Sequence, residues 1–142
     1  MKPSSLLLPL LLASHLVEAC EGLVIEHAWI REAPPGARVM AGYAELRNDG
    51  GSPLVIDALE SPGYFEHVMI HETLLEEGRA RMVPREALEI LPGATLSLAP
   101  GGLHLMLMQP VSDLALGAEV PLTVRCGEAG MEVRFPVSAA AP

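Results

Sequence analysis

Positive charge is scarce in this 142-residue sequence. Lysine occurs once, as Lys2, and the total of 9 basic residues faces 18 acidic ones, for a formal charge of −9. An acidic surface repels phosphate backbones and anionic headgroups, which argues against nucleic acid or an acidic membrane surface as partner. Cysteine is scarcer still, with Cys20 and Cys126 the only two. Long apolar runs are missing too: no stretch after the N-terminal region is long enough to cross a bilayer as a helix. No Gly-x-Ser-x-Gly elbow or phosphate-binding glycine loop is present, and His71-Glu72 lacks the second histidine of a zinc-protease helix. The chain is therefore not read as an enzyme.

Half of the residues are hydrophobic and 19% are charged, which excludes global disorder. Thirteen glycines and thirteen prolines break the chain too often for a helix bundle or coiled coil. Residues 1–19 have the order of a secretory signal peptide: Lys2, the apolar Leu6–Leu12, then Val17-Glu18-Ala19 before Cys20. Export to a bacterial periplasm is expected, leaving residues 20–142 as a single domain. Three fates are open for Cys20, one of them a free thiol with Cys126 a small buried hydrophobe. It can join Cys126 in a disulfide, as an oxidising compartment allows, or it can carry a lipid anchor, since Val-x-Ala-Cys is lipobox-like.

Short apolar or alternating segments separated by turn chemistry predict strands at Leu23–Ile30, Met40–Arg47, Leu54–Leu59, Phe65–Thr73, Ala80–Pro84, Leu88–Leu91, Ala94–Leu98, Leu103–Met108, Val120–Cys126 and Met131–Val137. So many short strands in one small domain point to an all-β antiparallel sandwich or barrel.

Histidine and methionine carry the chemistry. His104 and Met106 share a face of their predicted strand, about 7 Å apart. His71 and Met82 flank the turn at Glu76-Glu77-Gly78. They lie opposite each other if the tip is Glu76-Glu77, and diagonally on one face if it is Glu77-Gly78. Neutral thioether sulfur with imidazole suits Cu(I). Zinc prefers thiolate, imidazole and carboxylate, and calcium needs oxygen ligands at loop spacing, which this sequence does not offer.

The spacing His71-x10-Met82-x21-His104-x-Met106 matches the motif of the periplasmic copper chaperone (PCuAC) family, and the chance of three such matches given His71 is about 10⁻⁴ at this composition. Ala28-Trp29-Ile30-Arg31, Ala41-Gly42-Tyr43 and Pro100-Gly101-Gly102-Leu103-His104-Leu105-Met106-Leu107-Met108 also resemble the family, over roughly residues 22–137. The resemblance implies a cupredoxin-like β-barrel or sandwich. It implies a Cu(I) site made by His71, Met82, His104 and Met106, and carriage of copper to an acceptor. That acceptor would be the copper subunit of cytochrome c oxidase or a thiol-containing assembly factor. Some relatives carry a His/Met-rich tail; the tail here, Val137–Pro142, has none. One copper per chain, carried by a monomer, is therefore expected.

The remaining donors are given structural roles first: Met40 core packing, with a place near the metal as alternative; Met69 core packing, with a place below the site as alternative; Met108 a hydrophobic rim, with a spare donor as alternative; His67 a strand edge, Trp29 packing and Glu72 the surface. The competing function is a metal-free envelope β-sandwich used in assembly. A blue-copper electron carrier is disfavoured, because neither cysteine lies near the motif and that site needs a thiolate beside two histidines.

Overall fold

The computed structural model describes residues 20–142; the expected signal peptide lies outside them. Eleven strands follow one another: β1 (Leu23–Arg31), β2 (Val39–Asn48), β3 (Leu54–Ile56), β4 (Ala58–Glu60), β5 (Phe65–Glu76), β6 (Arg79–Arg85), β7 (Leu88–Ile90), β8 (Thr95–Leu98), β9 (Leu103–Pro110), β10 (Glu119–Cys126) and β11 (Ala129–Ser138). Among the described residues there is no helix.

Seven strands close into a barrel in the order β1-β11-β10-β4-β5-β9-β2, with β1–β2 pairing completing the ring. Closure satisfies the backbone groups that an open sheet would leave at its edges. β8 extends from β2, β6 pairs with β5, and β3 with β7 forms a separate two-stranded sheet. The expected all-β architecture is present, with one departure from antiparallel pairing: β1 runs parallel to β11 at Ile30↔Val137 and Arg31↔Ser138. The expected strand over residues 54–59 is two strands. It breaks at exposed Asp57, whose carboxylate accepts from the Gly127 amide and whose own amide donates to Arg125. The two halves go to different partners, β3 to β7 and β4 to β10 and β5.

Period-two alternation fills the barrel. Met40, Ala44 and Leu46 of β2 point inward, as do Leu105 and Leu107 of β9 and Val120, Leu122 and Val124 of β10. Gly42 shares the inward face of β2. A Cβ there would lie 3.1 Å from the Leu107 side chain and 3.3 Å from Leu105, so the bare backbone makes room for the two β9 leucines.

Two devices close one end. Asn48 is wholly buried yet fully bonded: its side-chain amide donates to the Ser52 and Ile90 carbonyls, and its oxygen accepts from the Gly50 amide. This ties β2 to the small β3–β7 sheet. Gly22, at φ 85°, lies against the same turn. A Cβ there would come within 2.6 Å of the Gly50 amide nitrogen, so only glycine fits. Beside it, Cys20 is joined to Cys126, 106 positions away in sequence, with Cα atoms 5.4 Å apart. Of the fates open for Cys20, the structure has the disulfide.

Two outcomes are expected. The purified exported protein shows no titratable thiol before reduction and two after it, and reduction lowers stability by about 2–5 kcal/mol in urea titrations. Asn48→Asp, which turns a donor into an anion facing two carbonyls, costs about 2–4 kcal/mol by urea unfolding. That loss shrinks on acidification, as the carboxyl protonates and regains one donor.

Candidate metal centre

The register of β5 against β9 builds the site. His71 sits directly opposite His104. Residues two apart share a face with each other and with their cross-strand partners. Met106 therefore faces the same way as His104, and so does Met82 of β6, which pairs with Thr73 of β5, two residues from His71. The β5–β6 hairpin turns at Glu77 and Gly78, both with positive φ (50° and 76°), the conformation of a two-residue turn of type I′. His71 and Met82 are thus diagonal rather than opposite. All four lie on one outer face of the barrel wall, with the two imidazole centroids 6.1 Å apart. The inner face of the same strands carries buried Ile70, Leu105 and Leu107.

The two histidines are held differently. His104 is 6% exposed, and its Nδ1 lies 3.0 Å from the Gly102 carbonyl oxygen. A carbonyl can only accept, so Nδ1 carries the proton and Nε2 keeps a free lone pair. This is the arrangement in which an outer hydrogen bond orients an imidazole toward a metal. His71 has the complementary peculiarity: its Nδ1 is fully buried and has no hydrogen-bond partner. Buried polar atoms without partners are uncommon, and a metal ion is one of the groups that satisfies them. Burial first, and the neighbouring His104 second, depress the His71 pKa below the usual histidine value. The ring is thus neutral at neutral pH, as a ligand must be.

Neither methionine is core filler. Met82 is 59% exposed on the projecting hairpin and Met106 is half-buried. Among the described residues, no three His, Cys, Asp or Glu side chains form a metal-sized group, so an oxygen-rich site for a hard cation is not built. Two neutral imidazoles with two thioethers suit a soft monovalent ion.

The other sequence assignments divide. Met40 is buried in the core and Trp29 packs on Tyr43 with ring centroids 4.9 Å apart, both as expected. Glu72 faces away and accepts from Arg85. Met69 is a correction: it is 41% exposed, not core, and stands opposite Met106. His67 is exposed on β5, which is paired on both sides, and stands opposite Met108. The parity of Met69 with His71 was readable in the sequence, but Val68-Met69-Ile70 looks uniformly apolar and hides which side meets water.

A family model described as "Putative lipoprotein LpqE-like" matches residues 23–137. The chain belongs to the LpqE-like family. A curated relative, "Putative lipoprotein Lxx21020" of Leifsonia xyli subsp. xyli (strain CTCB07), is 32% identical over 107 residues, 74% of this chain. The chain spans only 62% of that relative's length. Among solved structures, the apo PmoF2 PCuAC domain superposes with a TM-score of 0.70 at 23% identity, covering 87% of this chain and 96% of that one. The copper-bound PmoF2 PCuAC domain gives 0.67 at 24%, covering 87% and 97%. The solution structure of CuI-DR1885 from Deinococcus radiodurans gives 0.62 at 24%, covering 87% and 82%. The LpqE-like chain thus has the fold of PCuAC domains.

The depressed His71 pKa has a pH signature in the metal-free protein. Below the ordinary histidine value, about 6.5, the unfolded chain takes up a proton that the folded chain refuses. Stability therefore falls as pH drops from there toward the lowered native value. Melting temperatures measured between about pH 7.5 and 5.5 are expected to decline, with a shallower decline in His71→Gln. An unchanged slope in the variant would contradict the assignment.

Proposed function

We propose that this LpqE-like protein is a periplasmic Cu(I) carrier, holding copper between His71, Met82, His104 and Met106 and surrendering it to an acceptor. The observation that carries this reading is the juxtaposition of two directly paired imidazoles with two thioethers on one outer face. On this proposal the donor atoms are Nε2 of His104, since Gly102 holds Nδ1, and Nδ1 of His71, the buried nitrogen that has no hydrogen-bond partner. Neutral soft donors favour the cuprous state, and an outer-face position leaves room for an acceptor's ligands to attack before those of the carrier have all left. Nothing is turned over, so the protein acts as a carrier rather than an enzyme.

Two of the structural neighbours are described as copper-bound, which supports the same cargo here. The disulfide fits an oxidising compartment. By resemblance to the PCuAC family, the acceptor is the copper subunit of cytochrome c oxidase or a thiol-containing assembly factor. The His/Met motif and its outward placement favour this reading over a metal-free assembly protein.

Anaerobic competition with a calibrated Cu(I) chelator tests the site. Wild type takes up one tightly held copper. His104→Ala and Met106→Leu each weaken it at least about tenfold, or 1.4 kcal/mol, while circular dichroism stays unchanged. X-ray absorption of the tight complex reports two nitrogen and two sulfur ligands. Unchanged affinity in both variants would eliminate the site.

A further inference from the structure

We infer that the same face carries a second, weaker Cu(I) site, formed by His67, Met69 and Met108 beside the four-donor centre. This rests on reading that centre as a copper site and extends it along the barrel wall. The register gives three successive same-face rungs between β5 and β9: His71 opposite His104, Met69 opposite Met106, and His67 opposite Met108. All six side chains are histidine or methionine. Only the first rung and Met106 belong, with Met82 of β6, to the centre already described. The other three donors have no role in it.

Packing does not explain them. The alternate residues of the same strands, Ile70, Leu105 and Leu107, fill the core. Met69 is 41% exposed, whereas Met40, a true core methionine, is 5% exposed. His67 is exposed and Met108 half-buried. A flexible thioether held in water contributes little to stability and costs rotamer freedom when fixed. On the β2 side the face ends in Ala41 opposite Met106 and Val39 opposite Met108, neither of them a donor. On the β4 side an open concavity of about 450 Å³, partly lined by His67 and Met69, gives solvent access.

The spacing suits one ion. His67 and Met108 are direct partners, whose Cβ atoms lie about 4.5–5.5 Å apart, and Met69 is about 7 Å along the strand from His67. One imidazole and two thioethers make a three-coordinate set that Cu(I) accepts. Affinity is lower than at the first centre because there is one imidazole instead of two and the exposed His67 and Met69 must be ordered from solvent. Met69 stands opposite Met106, so an ion can pass between the two centres through neighbouring thioethers without becoming fully hydrated. The expectation of a single copper rested on the donor-free tail, and this site lies on the barrel wall instead.

Anaerobic Cu(I) titration of the full chain against one strong and one weak chelator tests the inference. Wild type is expected to take two equivalents, one retained against the strong chelator and one only against the weak. The triple variant His67→Ala/Met69→Leu/Met108→Leu keeps the first and loses the second, and Met69→Leu alone weakens the second at least tenfold. His71→Ala/His104→Ala loses the first. Saturation of wild type at one tightly held equivalent would overturn the second site and leave the carrier reading intact. So would a second equivalent that persists unchanged in both the triple variant and Met69→Leu. Absence of the tight equivalent from wild type, or its survival in the His71/His104 double variant, would instead overturn the carrier reading.

Discussion

The outer face depends on one constraint, the register of β5 against β9. A slip of one residue in β9 would turn His104 and Met106 toward the core and put Leu105 and Leu107 in water. Burying those two leucines, with Gly42 of β2 clearing space for them, is therefore what holds the imidazoles in line. Full burial of a leucine is worth about 1.5–3 kcal/mol, so the pair makes the slip unfavourable by several kcal/mol. The geometry of the polar face is set by the apolar face behind it.

Much of this was legible in the sequence, and for definable reasons. Turn dipeptides such as Pro92-Gly93 and Pro100-Gly101 mark strand boundaries locally. Strict alternation in β9 showed which residues share a side before any partner strand was known. The relation of His71 to Met82 was fixed only to two alternatives, because it turns on which dipeptide forms the hairpin tip. What stayed hidden was non-local. The break at Asp57 comes from backbone bonding to Arg125 and Gly127, far along the chain. The parallel β1–β11 pairing depends on barrel closure. Met69 and His67 passed for packing or edge residues because the facing of β5 is decided by its neighbours, not by its own composition, whereas Met108 of β9 was read as a rim residue or a spare donor.

The locks at one end complement the open donor face. Cys20, Cys126, Gly50 and Ser52 border a common concavity, so the disulfide and the Asn48 cluster reinforce the same region. Fixing the chain there, where all three side-chain bonds of Asn48 are intramolecular, leaves the β5–β6 hairpin as a projecting arm with exposed Leu75 and Met82. Rigidity and accessibility are thus assigned to different parts of a small barrel.

The disulfide also bears on electron bookkeeping. Among the described residues no free cysteine remains, and thioethers and imidazoles do not give up electrons as a thiolate does. On the copper-carrier reading, such a chain has no sulfhydryl with which to convert a cupric ion to its cuprous form. On that reading, any one-electron step from the cupric to the cuprous form falls to a reductant other than this barrel's own sulfur.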